Sequence, residues 1–162
     1  MSAVYTRRLL HSGTATAKEA FMNLIYTDHV APEDFLRLRS IVGWTPIAPE
    51  QAEAGLRHSA KVICVKDGEQ VVAMARLLWD GGYQAQLCDV MVLPEYQMQG
   101  IGRHMVTHLV DWLQSQLKPG WSLKLNLSAA EGKEPFYEKL GFRRRPCRNA
   151  GSGMDKWMFG QG

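Results

Sequence analysis

The sequence predicts a mixed α/β fold, in which a mostly antiparallel sheet contains one parallel strand–helix–strand crossover and is flanked by helices. Two observations lead to this prediction. The dipeptide Asp67-Gly68 separates two runs rich in β-branched residues, which is typical of an antiparallel hairpin. Further along, a strand-like run, a glycine-rich bend, an apolar-periodic segment over 102–117 and another strand-like run follow one another. Two strands joined through such a helix lie parallel in one sheet.

The composition is that of a globular protein, and 162 residues are the length of one domain, which we predict over 1–162. Apolar residues at 46% and charged residues at 22% exclude a disordered chain. No run approaches the roughly 20 apolar residues that cross a bilayer. The N-terminal residues also lack the apolar block of a secretory signal. We therefore expect a cytoplasmic protein without a membrane partner.

The cysteines and the charge balance narrow the function classes further. Cys64, Cys88 and Cys147 lie far apart and form no CxxC pair, so we expect reduced thiols without a zinc site or a disulfide framework. The net charge of +3 permits an anionic ligand but does not require nucleic acid.

The first part of the chain predicts two helices after a weakly patterned start. Residues 1–20 show little periodicity, and we predict a mobile arm or an edge strand there. For 21–26 we predict an edge strand or a helix turn. Pro32 at a first helical turn, followed by acidic residues, begins a helix that Gly43 ends. A second short helix is predicted over 49–59.

The middle of the chain predicts an antiparallel meander that leads into the crossover. Gly81-Gly82 makes a second turn after the Asp67-Gly68 hairpin. The following strand, 85–93, is more continuously apolar than alternating, as expected for a central strand covered on both faces. The helix over 102–117 carries apolar residues at helical spacing and ends at Pro119-Gly120.

The end of the chain predicts three further strands and one short helix. Alternating leucines predict a strand over 121–128, parallel to the strand at 85–93. A short helix over 133–140 ends at a glycine, and two short closing strands are predicted over 142–146 and 155–159.

The glycine-rich bend from Gln97 to His104 is the strongest candidate for a ligand site. Gly100 and Gly102 have no Cβ, so the backbone can approach a ligand closely. The N–H groups in the first turn of the following helix have no partner inside it and lie at the positive end of its dipole. A diphosphate suits such a site, and Arg103 and His104 could add side-chain donors. The alternative is a tight strand-to-helix turn without a ligand.

Two common phosphate-binding motifs do not fit this bend. A Walker loop requires Gly-Lys-Ser/Thr, whereas Arg103-His104 follows Gly102. A dinucleotide fingerprint requires a small residue where Met105 stands, and it belongs to an early parallel unit rather than to a chain that begins with an antiparallel meander.

The bend and a second motif resemble the GNAT superfamily of acetyl-CoA-dependent N-acetyltransferases. The segment Val92-Leu-Pro-Glu-Tyr-Gln-Met-Gln-Gly-Ile-Gly102 resembles that family's signature of Gln or Arg, two residues, Gly, any residue, and Gly or Ala. Downstream, Phe136-Tyr-Glu-Lys-Leu-Gly-Phe142 resembles its FYxxxGF segment. One helix and one strand separate the motifs, as in the family. The resemblance extends over residues 30–160 and implies the GNAT fold.

The resemblance implies acetyl-CoA as co-substrate and assigns roles to the matched positions. In the family, the strand before the bend pairs its backbone with the pantetheine arm, and the bend amides hold the pyrophosphate. The corresponding strand positions here are Val90, Met91 and Val92. The corresponding bend positions are Gln97, Met98, Gln99, Gly100, Ile101, Gly102 and Arg103. Tyr137 matches the family's usual general acid, which lies near the thioester sulfur.

One part of the family pattern is missing. Many members carry NxxAxxFY, and the positions of that Asn and Ala are occupied here by Ala130 and Lys133. Asn126 is not the matching residue, and its role is open.

Acetyl transfer to an amine requires a deprotonated amine, donors for the carbonyl oxygen and a proton for the leaving thiolate. The sequence offers no convincing Ser-His-Asp or Cys-His set, so direct attack in a ternary complex is expected. Tyr137 is the candidate proton donor, and the alternative is a core tyrosine. Asp89 is an acid inside an apolar strand. It could attract a cationic amine, accept its proton, or form a structural ion pair, and these alternatives stay open.

Other polar and aromatic residues are weaker candidates for metal binding, for the acceptor pocket or for ligand contacts. His104 and His108 are spaced as a helical metal pair, but no third ligand is apparent and no metal is expected. Trp44 and Trp79 could wall the acceptor pocket or belong to the core. A C-terminal basic cluster reads best as a solvated face, and could also contact nucleic acid, the 3′-phosphate of coenzyme A or an acidic acceptor. Its members are Arg143, Arg144, Arg145 and Arg148.

The sequence therefore predicts an acetyl-CoA-dependent N-acetyltransferase that acts on a primary amine. We expect a small-molecule acceptor, with a slight preference for a cationic one, and dimers are common among the proteins it resembles. Two other classes remain: a non-catalytic acyl-CoA-binding or sensing domain, and, less favoured by the charge balance, a nucleic-acid-binding module using the arginine cluster.

Overall fold

The computed structural model describes residues 5–10 and 21–160 of the chain. The backbone groups into two compact units, one extending to Leu127 and the other beginning at Ser128, and each is described by itself. The prediction of a single domain over 1–162 stays a prediction.

The first unit contains a six-stranded sheet whose strands lie side by side in chain order. Neighbouring strands are antiparallel except for the last pair, which is parallel, so the predicted fold class is confirmed. The strands are β1 (Tyr5–Leu10), β2 (Phe21–Thr27), β3 (Lys61–Asp67), β4 (Gln70–Trp79), β5 (Gln84–Val92) and β6 (Lys124–Leu127). The helices of this unit are α1 (Pro32–Ile41), α2 (Pro49–Arg57) and α3 (Ile101–Ser115), with a 3₁₀ turn over Pro94–Tyr96.

The N-terminal strands extend the meander by two members. β1 is the edge strand predicted within residues 1–20, and 1–4 and 11–20 lie outside the described residues. The segment 21–26 is a strand, as one of its two interpretations proposed, but it is interior because β1 pairs with it.

The helices begin and end close to the predicted residues. Pro32 and Pro49 each occupy the first turn of a helix, and Gly43 follows the end of α1 with a φ of 77°. α3 contacts β3, β4 and β5 and buries the apolar side predicted from its periodicity, Met105, Val106, Leu109 and Leu113.

β6 is shorter than the predicted strand, which began at residue 121. A strand requires a partner, and β5 begins only at Gln84, which pairs with Lys124. The N–H of Lys124 donates to the carbonyl of Tyr83 (2.8 Å), which marks the start of the pairing. Trp121 stays exposed with the Lys118 ammonium over its ring.

The second unit contains a short helix α4 (Glu134–Glu138), but the two predicted closing strands are wrong. Within the described residues, 142–146 and 155–159 form no strand, and the one bridge in this region joins Cys147 and Ala150. A strand needs an apolar face to bury. The first segment carries consecutive arginines instead, and in the second Trp157, Met158 and Phe159 are exposed.

Candidate active site

The two parallel strands of the sheet separate after four residue pairs, Gln84–Leu87 of β5 with Lys124–Leu127 of β6. β5 continues to Val92, and on that side it has no strand partner among the described residues. The separation leaves an open strand edge along the second half of β5, which an extended ligand can pair with.

A β-bulge lies where the strands separate. Cys88 pairs with Arg76 and Met91 with Met74, so Asp89 and Val90 together oppose the single residue Ala75. Asp89 adopts a φ of 50°, a left-handed conformation that non-glycine residues seldom take. Such bulges re-aim side chains and backbone groups next to functional sites.

The backbone hydrogen bonds of β5 indicate which of its N–H and C=O groups face the open edge. The N–H of Leu93 donates to the carbonyl of Val72 on β4 (2.9 Å). Because hydrogen-bonding groups alternate along an antiparallel strand, the N–H and C=O of Val92 face away from β4, towards the open edge. Met91 pairs with Met74 and its side chain is buried, whereas Val90 belongs to the bulge. Of the three residues predicted to pair with pantetheine, Val92 is the best oriented through its N–H, since its carbonyl already accepts from the side-chain amide of Gln97.

The glycine-rich bend directly follows this edge. Within the described part of the chain, none of the consecutive N–H groups from Met98 to Arg103 donates to a protein acceptor. Met98 and Gly100 have left-handed backbones with φ of 60° and 80°, and α3 begins immediately after Gly100. A Cβ built on Gly100 would meet no atom within 4 Å, so the space around the bend is open. Neighbouring amides of this kind form an anion-binding concavity at a helix N-terminus.

Three side chains hold the bend in this conformation. The side-chain amide of Gln97 donates to the carbonyl of Val92 (3.0 Å), and that of Gln99 to the carbonyl of Glu95 (2.9 Å). The Tyr96 hydroxyl donates to the Asp67 carboxylate at the tip of the β3–β4 hairpin (3.0 Å). The two glutamines therefore support the bend through their side chains, a role that the sequence motif alone did not indicate. Arg103 is exposed.

Asp89 lies in an ion-pair cluster with two arginines. Its carboxylate accepts from Nε of Arg76 on β4 and from Nη1 of Arg39 on α1 (3.3 Å). The three side chains are 10–17% exposed. Arg39 also donates to the carbonyl of Thr45 (2.8 Å), and Arg76 to the carbonyl of Gly55 (3.1 Å). This geometry favours the structural ion pair among the roles left open for Asp89.

Neither arginine of this cluster was predicted as a site residue from the sequence. Arg76 had a visible signal, because it is a charge inside the otherwise apolar strand QVVAMARLLW. Arg39 also had one, because it stands four residues after Phe35 and three before Val42, on the apolar side of α1. Trp44 lies against the same cluster, with its ring centroid 5.4 Å from the Arg39 guanidinium carbon.

In the second unit, Tyr137 lies on α4 and is half-buried. Its ring packs edge to face on Phe136 (4.9 Å between centroids) and on Phe142 (6.0 Å). Burial raises the pKa of its phenol above the ordinary 10.0, so the group is protonated at neutral pH, as a proton donor must be.

The histidine pair and the arginine cluster are partly engaged in other contacts. His104 packs edge to face on Tyr26 (4.9 Å), and burial together with the charge of Lys61 lowers the pKa of His108. No group of three metal-ligating side chains comes together in the described ranges. Arg144 forms a bidentate ion pair with Glu138 (2.8 and 2.9 Å). Within the same ranges, no helix is long and apolar enough to span a bilayer.

Comparison with known proteins agrees with this geometry. Residues 58–144, more than half of the chain, match the model of the acetyltransferase (GNAT) domain. The chain belongs to the GNAT acetyltransferase family.

Individual relatives extend the family assignment. An uncharacterized N-acetyltransferase, ycf52, of Porphyra purpurea is 28% identical over 109 residues, which are 65% of this chain and 60% of that relative. A glucosamine 6-phosphate N-acetyltransferase of Trypanosoma brucei brucei is 31% identical over 103 residues, which are 60% of this chain and 66% of the relative. A crystal structure of a probable acetyltransferase from Staphylococcus aureus superposes with a TM-score of 0.73 at 26% identity, covering 82% of this chain and 99% of that one. The chain thus spans about 60% of the first of these relatives.

Proposed function

We propose that this GNAT family member transfers an acetyl group from acetyl-CoA to a primary amine by direct attack in a ternary complex. The observation that carries the proposal is the run of unengaged N–H groups from Met98 to Arg103 beside the open edge of β5. The amides of the bend suit the diphosphate of coenzyme A, and the open strand edge suits its extended, amide-containing arm.

The bend and the strand edge would hold the donor substrate. The amides from Met98 to Arg103 would bind the diphosphate, and the backbone of Val90 to Val92 would pair with the pantetheine arm. The open space at Gly100 fits this role, because it lets the phosphate oxygens approach the backbone. When bound, acetyl-CoA supplies an acetyl thioester, and the chain's task is to position it and to manage protons.

Proton transfer is assigned to few groups. The Tyr137 phenol, kept protonated by its raised pKa, would donate to the departing thiolate, as the family resemblance implies. Asp89 is assigned a structural role, because two arginines already engage its carboxylate. The slight preference for a cationic acceptor rested on this carboxylate, and its pairing removes that support. The Trypanosoma relative is named for glucosamine 6-phosphate, which makes small amino sugars a rational part of an acceptor screen.

A screen of primary amines tests the proposal. Purified protein is incubated with acetyl-CoA and each amine, thiol release is followed, and the acetylated product is identified by mass spectrometry. We expect release that requires both substrates. Calorimetric binding of CoA without any acetylated amine would contradict the proposal and favour the non-catalytic acyl-CoA-binding alternative. Failure to bind CoA at all would contradict both.

A further inference from the structure

We infer that the acceptor binds in a polar cleft beside the turn of the β4–β5 hairpin, and that it is a small primary amine rich in hydroxyl groups. The cleft has a volume of about 290 Å³, and its lining includes His58, Trp79, Asp80, Gln84, Gln86 and Asn126. This inference rests on the proposed function and specifies its acceptor.

The cleft adjoins the point where the parallel strands separate. Gln86 pairs with Asn126, and the next pair, Leu87 with Leu127, is the last before the strands diverge. One strand residue corresponds to about 3.3 Å, so the cleft lies within one or two residues of the start of the open edge. Leu78 opposes Gln86 on the other side, so β4, β5 and β6 contribute neighbouring positions to the cleft.

A second cleft is less suitable. It has a volume of about 320 Å³, but its walls come from the β2–α1 connection, the start of α1, α2 and β3, including Asp28, Glu53, Arg57 and Val62. The separating strands β5 and β6 do not line it, so it does not open onto the edge where the donor would lie.

The cleft offers several acceptor atoms, and the side-chain amides of Gln84 and Gln86 add N–H donors. Asn126 uses its amide hydrogens towards Oε1 of Gln84 (3.1 Å) and the carbonyl of Ala85 (3.5 Å), which leaves its Oδ1. Oδ1 of Asp80 accepts from the N–H groups of Gly82 (2.7 Å) and Gln84 (3.2 Å), which leaves its Oδ2.

The histidine of the cleft adds a further acceptor. Nδ1 of His58 lies 2.8 Å from the carbonyl of Ala54. Because a carbonyl oxygen can only accept, Nδ1 is the donor in this contact, and Nε2 is the nitrogen that can accept whenever the ring carries a single proton. A ligand that donates from hydroxyl and amine groups matches this set of atoms.

The remaining lining favours a compact carbon skeleton without an anion. Nε1 of Trp79 donates to the carbonyl of Gly82 (3.1 Å), so the indole offers the cleft an apolar surface, and Trp112 packs against it edge to face. Among the described residues that line the cleft, none is arginine or lysine. A phosphate or carboxylate on the acceptor would therefore lack a cationic partner here.

Three matched amines test the inference on the full chain in the presence of CoA. Glucosamine carries the hydroxyl groups, cyclohexylamine has a six-membered ring without them, and glucosamine 6-phosphate adds an anion. Binding is followed through the side-chain amide NMR signals of Gln84, Gln86 and Asn126. We expect glucosamine to shift these signals and to bind about tenfold more tightly than either of the other amines, the equivalent of one or two lost hydrogen bonds.

A filling variant and a matched control complete the test. Gln86→Trp should weaken glucosamine binding by about tenfold or more without changing the Kd for CoA, whereas Gln70→Trp, an exposed glutamine at the start of β4, should change neither. The inference would be overturned if the side-chain amide signals of the cleft did not shift on addition of glucosamine. It would also be overturned if cyclohexylamine or glucosamine 6-phosphate bound more tightly than glucosamine, or if Gln86→Trp left the Kd for glucosamine unchanged. If these occur while CoA binds and some amine is acetylated, the proposed function still stands. If CoA does not bind, the proposed function fails, and the glucosamine titration still decides the cleft.

Discussion

Substituting alanine for Gly100 isolates the contribution of the bend to cofactor binding. Gly100 has a φ of 80°, and a Cβ there would meet nothing within 4 Å, so the cost in the free protein is backbone strain alone. The left-handed conformation costs a non-glycine residue about 1 kcal/mol. For a chain of this length that corresponds to a fall in Tm of about 2–4 °C.

The effect on binding should be larger than the effect on stability. If the backbone relaxes from the left-handed conformation, the amides that follow turn away from the ligand; if it does not, the new methyl group occupies the approach to them. Losing one charge-assisted hydrogen bond costs about 1.5–3 kcal/mol, which is about a tenfold to hundredfold increase in the Kd for CoA.

Gly120 provides a matched control at the far end of α3. Its φ is 81°, and a Cβ there would also meet nothing within 4 Å. Gly120→Ala should therefore lower the Tm as much as Gly100→Ala does but leave the Kd for CoA unchanged, as measured by calorimetry and differential scanning fluorimetry. Equal CoA affinity in both variants and the wild type would refute the assignment of the diphosphate to the bend.

Three further predictions concern single side chains. Tyr137→Phe should lower kcat by about 10²- to 10⁴-fold without changing the Kd for CoA. Because the pKa of Tyr137 is raised above 10.0, the wild-type enzyme should keep this proton donor, and its rate, at every pH below 10. An unchanged kcat in the variant at every pH would exclude Tyr137 as the proton donor. Burial raises the pKa of Cys64 to about 11, so its thiol should react with a disulfide reagent at pH 8 about 100-fold more slowly than an ordinary thiol of pKa 9.0. The same shift should lower the free energy of unfolding as the pH rises from about 9 towards 11. Rapid labelling of Cys64 in the folded protein would contradict the first expectation. Asp89→Asn leaves two arginines without their counter-charge and should lower the free energy of unfolding in urea by about 3 kcal/mol; a loss of kcat at unchanged stability would instead identify Asp89 as a catalytic base.

The parts of the fold that follow from local sequence were predictable. The Asp67-Gly68 turn, the periodicity of α3 and the glycine of the bend each act over a few residues, and the structure has them at or near the predicted positions. β6 was predicted too long, because a strand forms only where a partner strand is available, and alternation along one segment does not reveal the partner. The closing strands were wrong, because their segments have no apolar face to bury.

The chemistry of the site depends on contacts across long sequence separations. Asp89 meets Arg39 across 50 residues, and Asn126 meets Gln84 across 42. The bulge that re-aims Asp89 is a register shift between β4 and β5, which neither strand reveals alone. The sequence therefore left the roles of Asp89 and Asn126 open, whereas the backbone amides of the bend were recognisable from the glycine spacing.

Titration of CoA into isotopically labelled protein, followed through the backbone amide signals of Met98 to Arg103, tests the phosphate-binding role of the bend most directly. Hydrogen bonding to a diphosphate should move these signals more than any others, and they should saturate together with the heat of binding. If the folded protein binds CoA while these amides stay unmoved, or if CoA does not bind at millimolar concentration, the bend does not hold the cofactor.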